Sequence, residues 1–202
     1  MLVRHGQSEA YVDGSPFPLV DGHGDPPLSP QGEEQARQVC ARLAAAGIDA
    51  IYVTTLRRTA QTAAPLAGQL GLNPQVEAGL REVYLGEWEG GLLRKMVADG
   101  HPVSQQVLAE ERWDVIPGAE PAPAFADRVR AAIGRMAAGH PGQRVAAFTH
   151  GGVIGEALAR ASGSRPFAFL GADNASISRL VISGGRWIVR GFNDTAHLES
   201  AE

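Results

Sequence analysis

The chain has one cysteine, Cys40, and one lysine, Lys95, among 202 residues. A single cysteine excludes an intrachain disulfide and a thiolate metal cluster. Cys40 lies in the alanine-rich stretch Gln35–Ala46 and reads as a small buried apolar residue rather than a reactive thiol. There is no Lys/Arg run, and the net charge is −4. A nucleic-acid partner is therefore not expected, although a small anionic substrate is allowed where positive charge is concentrated. No apolar run approaches the roughly 18 residues of a spanning helix, and the start lacks the charged opening of a signal peptide. The expectation is a cytoplasmic protein with no membrane partner.

What is present is an alternation of apolar runs and helical patterns, with 44% hydrophobic and 20% charged residues. That is the pattern of a layered α/β domain, and the length suits one domain over 1–202. Leu2-Val3 opens a strand. Ser29-Pro30 supplies a helix N-cap and a first-turn proline, and the helix is expected to run to about Ala46 with Gly47 as its stop. Ile48–Thr54 reads as a buried strand. Leu56–Leu70 reads as a helix that Pro65 kinks. Ala122–Ala138 is a helix, Val145–Thr149 a strand and Val153–Ala161 a helix. Ala175–Ser183 and Arg186–Phe192 form a hairpin about Gly184-Gly185. The proline-rich stretch Ala10–Pro27 reads as a loop, and Gly91–Pro123 as irregular helices forming a cap-like insertion over one face.

Two strands each end in a histidine followed by glycine, His5-Gly6 and His150-Gly151. Such strands bring two imidazoles to one edge of a sheet. Arg4 flanks the first histidine. Arg57 and Arg58 open a helix, whose N-terminus attracts anions, and neighbours on a helix diverge by about 100°, so only one of the two faces inward. A guanidinium there recognises phosphate in a bidentate manner. An acid that protonates a leaving group is offered by Glu82, with Glu87 and Glu89 competing for the role.

The ordered set Leu2-Val3-Arg4-His5-Gly6-Gln7-Ser8, Asp25-Pro26-Pro27-Leu28-Ser29, Gln31-Gly32, Leu56-Arg57-Arg58-Thr59-Ala60-Gln61-Thr62-Ala63, Leu80-Arg81-Glu82, Gly86-Glu87-Trp88-Glu89-Gly90 and Thr149-His150-Gly151-Gly152 closely resembles the histidine phosphatase superfamily, in its phosphoglycerate mutase-like branch. The resemblance runs from residue 2 to about residue 195. It implies a three-layer α/β/α sandwich with a mostly parallel sheet. It also implies a phosphohistidine on His5, with Arg4, Arg58 and His150 clamping the phosphoryl oxygens and Glu82 as proton donor. By the same resemblance, the family's Leu-x-Arg and Leu-x-Glu patterns imply Arg58 rather than Arg57 and Glu82 rather than Glu87 or Glu89. Gly151, Gly22 and His23 fall at substrate-binding positions by the same resemblance, and Asn174 at a position before a late strand. No metal or other cofactor is implied, because guanidinium and imidazole supply the charge.

The intact Arg4, His5, Arg58, Glu82 and His150 argue against a non-catalytic member, and departures from the pattern favour a phosphoric monoester hydrolase acting on a small phosphorylated metabolite over a mutase. Ala10-Tyr11 stands where mutases carry Trp-Asn, Val12–Val20 is longer, and Tyr84-Leu85 replaces a basic and polar stretch. Asp21 stands in place of a small hydroxyl residue, and its carboxylate is expected to repel a second acidic group on a substrate. Trp88 reads as packing, and Trp113 and Phe17 as pocket wall or ordinary core. His101, His140 and His197 read as surface or turn residues. A homodimer is one option for the assembly, which the sequence leaves open.

Overall fold

A computed structural model describes residues 1–199; the last three residues of the 1–202 span lie outside the described residues. In chain order the elements are β1 (Leu2–Arg4), β2 (Leu19–Val20), β3 (His23–Gly24), α1 (Pro30–Leu43), β4 (Ala50–Val53), α2 (Arg57–Leu70) and β5 (Gln75–Val76). There follow α3 (Leu92–Ala98), α4 (Pro102–Glu110), α5 (Ala122–Gly139), β6 (Val145–Thr149), α6 (Gly151–Ser162), β7 (Ile177–Ser183) and β8 (Arg186–Asp194). The main sheet has the order β5-β4-β6-β1-β7-β8. Its first four strands are parallel, and the β7–β8 hairpin adds antiparallel to the β1 edge.

Side chains alternate across this sheet, and each face finds its own helices. Val3, Ala146 and Phe148 point to the layer of α1 and α2, where Val39, Cys40, Leu43, Ala63 and Leu66 bury against them. Leu2 and Ala147 point to the opposite layer, filled by Phe125, Val129 and Ile133 of α5 and Val153, Ala157 and Leu158 of α6. The result is the three-layer α/β/α sandwich. Full burial of a side chain such as Phe148, at 0% exposure, contributes roughly 1.5–3 kcal/mol.

Local chemistry sets the boundaries. Ser29 caps α1 by accepting from the Gly32 amide, with Pro30 in the first turn. The helix stops at Leu43, short of the expected Ala46; three residues of turn intervene before Gly47 at φ +66°. α2 passes through Pro65 as one helix and stops at left-handed Gly71. α6 starts at Gly151, two residues ahead of the expected Val153, directly behind His150.

The Ala10–Pro27 stretch is corrected in one respect. It contains a small hairpin, β2–β3, closed by Asp21 (φ +48°) and Gly22 (φ +82°). Asp-Gly is a strong two-residue turn signal because both positions need positive φ; the surrounding prolines obscured it. Residues 91–123 hold α3, α4 and a 3-10 turn at Trp113–Val115 around a small apolar cluster of Trp88, Val107 and Ile116. No described helix is long and apolar enough to cross a membrane.

Candidate active site

β1 and β6 are parallel neighbours with Arg4 level with Thr149. The residues that follow, His5 and His150, therefore leave the sheet side by side. The His5 amide donates to the Thr149 carbonyl (3.0 Å), and the two rings meet edge to face with centroids 5.3 Å apart. This is the carboxyl-end crevice where open α/β sheets bind ligands. α2 begins one strand over. Arg58 turns inward with 7% exposure, while the Arg57 side chain stays 46% exposed. Of the sequence-selected residues, the fold thus brings together Arg4, His5, Arg58, Glu82 and His150.

His5 is held in one tautomer. Its Nδ1 lies 2.7 Å from the Gly6 carbonyl, which can only accept, so Nδ1 carries the proton and Nε2 keeps its lone pair. Nε2 has no protein partner among the described residues. Burial, then the Arg58 and Arg4 guanidinia, holds the ring well below the ordinary histidine pKa, so it is neutral at physiological pH. The backbone around it is pinned: Gly6 N–H donates to Thr62 Oγ1 (3.0 Å), and Asn174 Nδ2 donates to the His5 carbonyl (3.0 Å). Gly6 is obligatory, since an added Cβ would sit 2.5 Å from the Gly32 carbonyl oxygen.

His150 is fully buried, and its two nitrogens are assigned by their neighbours. Arg58 Nη2, a donor only, lies 3.3 Å from Nδ1, so Nε2 holds the proton and donates to Thr54 Oγ1 (3.1 Å). The Thr54 hydroxyl lies 3.1 Å from Thr59 Oγ1, which donates to the Leu56 carbonyl (2.8 Å). For His150 to donate from Nδ1 to a phosphoryl oxygen, the proton must change nitrogens. The Thr54 hydroxyl supports that state by turning its own proton from Thr59 onto Nε2.

The arginines are fixed from behind. Arg58 Nη1 donates to the Gly24 carbonyl (2.9 Å) and lies 3.8 Å from Asp25 Oδ1. Burial pushes its pKa down to about 10, opposed by Glu82 and Asp25, so it stays charged. Asp25 also accepts from the Arg57 amide (2.9 Å), tying β3 to the start of α2. Arg4 donates through Nη1 to the Ala172 carbonyl, while its buried Nε has no partner among the described residues. An unmet buried donor costs on the order of 1–3 kcal/mol, which an anion in the crevice would relieve. Gly151 lies beside it: a Cβ there would be 3.5 Å from that Nε.

Glu82 accepts from the Val83 amide (3.0 Å) and the Gly152 amide (3.3 Å), and its charge acts on both Arg4 and Arg58. Its competitors are occupied elsewhere. Glu89 accepts from the amides of Leu85 (2.9 Å) and Gly24 (2.8 Å), and Glu87 is exposed. His23 is 7% exposed; Nδ1 donates to the Asp21 carbonyl (3.1 Å), the ring meets Tyr84 edge-on, and Nε2 has no partner among the described residues. Gly22 contributes the exposed turn, with only Tyr84 within 4 Å of an added Cβ. Asp21, exposed at the turn, forms a surface ion pair with Arg81 Nη1 (3.1 Å).

The other histidines lie outside this cluster: His101 caps α4, His140 bonds Tyr52 and Gln143, and His197 contacts the Ala175 carbonyl. Trp88 is buried, Trp113 packs on Phe167, and Phe17 lies beneath Arg94. Sequence reasoning gave no site role to Thr54, Asp25 or Arg94. The Asp25 motif was visible; Thr54 and Arg94 carried no signal beyond ordinary strand-end and helical residues.

A neutral, tautomer-fixed imidazole lies in the field of the buried Arg58 and part-buried Arg4 guanidinia, an arrangement able to hold an anion beside a nucleophilic nitrogen. The sequence profile of the histidine phosphatase superfamily (branch 1) matches residues 1–195, and the chain belongs to that superfamily. Phosphoglycerate mutase-like protein 4 of Arabidopsis thaliana is 31% identical, with 98% of this chain and 86% of that protein covered. A mycobacterial glucosyl-3-phosphoglycerate phosphatase structure superposes with a TM-score of 0.80 at 28% identity, covering 96% of this chain and 98% of that one. A phosphoglycerate mutase from Bacillus anthracis superposes with a TM-score of 0.80 at 25% identity, covering 98% and 93%.

Proposed function

We propose that this protein is a phosphatase that hydrolyses a phosphomonoester of a small metabolite through a phosphohistidine on His5. The observation that carries the reading is the His5 ring itself: Nδ1–H is committed to the Gly6 carbonyl, leaving the Nε2 lone pair to attack. Nε2 displaces the ester oxygen in line, forming the N–P bond as the P–O bond breaks. Arg4 and Arg58 hold the phosphoryl oxygens, with His150 joining them from Nδ1, where charge must be stabilised through the transition state. Glu82 takes up the proton of a monoanionic phosphomonoester and passes it to the departing alkoxide; it then takes one from the water that cleaves the N–P bond and releases it with the phosphate, restoring His5. Gly151 and the His23 ring lie beside this pocket, and Gly22 at its rim. Residues 91–123 act as a cap that shapes the leaving-group side.

Phosphatases among the structural relatives support hydrolysis, and so do the departures of residues 10–20 and 84–85 from mutases. The mutase names among the relatives make isomerisation the second reading. Incubation with 3-phosphoglycerate and a bisphosphate primer separates the two: phosphate release faster than isomerisation is expected, and the reverse order would overturn the proposal. His5→Ala is expected to abolish both aryl phosphate hydrolysis and an acid-labile phosphoenzyme. Unchanged activity in that variant would remove the nucleophile assignment.

A further inference from the structure

The cap, α5 and α6 enclose a second cavity of about 440 Å³, a size that takes a small molecule. Trp113, Phe125, Phe167 and Leu170 form its apolar walls, and Gly152 and Gly155 of α6 add helix backbone. The chain turns through left-handed Glu111 (φ +53°) at the end of α4. Trp113, two residues on, packs against Phe167 with ring centroids 5.1 Å apart. None of Arg4, His5, Arg58, Glu82 and His150 lines this cavity. Gly152 is the boundary, since its amide donates to Glu82 on the catalytic side (3.3 Å).

Glu156 lines the same cavity, one turn after Gly152 on α6. Its carboxylate has no hydrogen-bond or ion partner among the described residues. Arg160, a turn further on, lies over the Trp187 ring instead (5.6 Å). Burial pushes the Glu156 pKa up, with Arg160 opposing. The other charged groups at the rim are engaged. Glu110 accepts from Gln106 (2.6 Å), Glu111 pairs with Arg165 (2.7 Å), and Arg112 pairs with Asp114 (2.6 Å). One uncompensated carboxylate is thus set against aromatic rings. A half-buried carboxylate is costly until a cation meets it, and ring faces attract the same cation. A metal ion needs several oxygen, nitrogen or sulfur ligands, which a single carboxylate does not supply. An organic ammonium needs one counter-charge and an apolar wall for its methyl or methylene groups.

We propose that this cavity binds an organic ammonium group through Glu156 and the Trp113–Phe167 ring pair, either as a free amine or as the ammonium end of a leaving group. Only the second source rests on the phosphatase reading above. Calorimetry with choline and with 3,3-dimethylbutan-1-ol, its uncharged isostere, tests the site on the intact protein. Choline is expected to bind roughly tenfold more tightly than the alcohol, the effect of one half-buried charge contact. Glu156→Gln should remove most of that preference. Trp113→Leu should weaken choline binding by roughly 2- to 5-fold, and Trp113→Phe should restore most of the loss. Equal binding of choline and the alcohol, a preference that survives Glu156→Gln, or no choline binding at all would overturn the inference. Kinetics then separate the two sources. A loss of kcat/KM in Glu156→Gln that is larger for phosphocholine than for para-nitrophenyl phosphate assigns the ammonium to the leaving group. Equal losses on the two esters, or no turnover of phosphocholine, identify the free amine as the ligand. Failure of the wild type to release phosphate from any ester would sink the phosphatase reading and leave the choline result standing.

Discussion

Acidification between pH 7.5 and 5.5 should destabilise this protein through two groups in particular. His5 and His150 are 6% and 0% exposed, and burial, reinforced by Arg58, holds both rings well below the ordinary histidine pKa. In the unfolded chain each returns to about 6.5 and takes up a proton as the pH falls past that value, while the folded rings stay neutral. The unfolded state then binds more protons, so the stability these rings allow is fully present above about pH 6.5 and is lost below it. The loss approaches about 1.4 kcal/mol per pH unit for each ring, or about 2.5–3 kcal/mol for the pair at pH 5.5. It continues until the folded pKa is reached. His197, also lowered by burial, adds in the same direction. Urea unfolding at pH 7.5, 6.5 and 5.5 in phosphate-free buffer measures this, since a bound anion would stabilise the folded state separately. Replacing either ring by glutamine should remove about 1.4 kcal/mol of the acid-linked loss between pH 7.5 and 5.5. Identical pH slopes in wild type, His5→Gln and His150→Gln would refute the assignment of buried neutral rings.

Two further outcomes follow from the site. Glu82→Gln should lower kcat/KM for an alkyl phosphate by roughly 10²- to 10⁴-fold, and much less for para-nitrophenyl phosphate, whose leaving group needs no proton; equal losses on both would deny Glu82 the acid role. Thr54→Val leaves the His150 Nε2–H without a partner in a buried site, so thermal unfolding should show a loss of about 1–3 kcal/mol that Thr54→Ser largely restores.

The sequence by itself determined the layers and the ends of the strands that bear the chemistry. Apolar runs at Leu2-Val3 and Val145-Ala146-Ala147-Phe148, and capped helices such as Ser29-Pro30, are local signals that survive folding unchanged. They placed His5 and His150 at strand ends, and the ordered motifs selected Arg58 and Glu82. Local signals also misled. The prolines of residues 16–27 hid the Asp21-Gly22 hairpin, and nothing local pointed to Arg81, 60 residues on, as the ion partner of Asp21. Tertiary structure alone decided what each site group can do. The parallel register of Arg4 with Thr149 sets the two imidazoles edge to face; the Gly6 carbonyl and the Thr54 hydroxyl choose which nitrogens carry protons. Asp25 braces Arg58 from the other side of a hairpin, and Arg94 arrives from a helix 86 residues after Ser8. Tautomer, charge state and pairing depend on atoms brought within 3–4 Å by the fold, a distance that spacing along the chain does not encode.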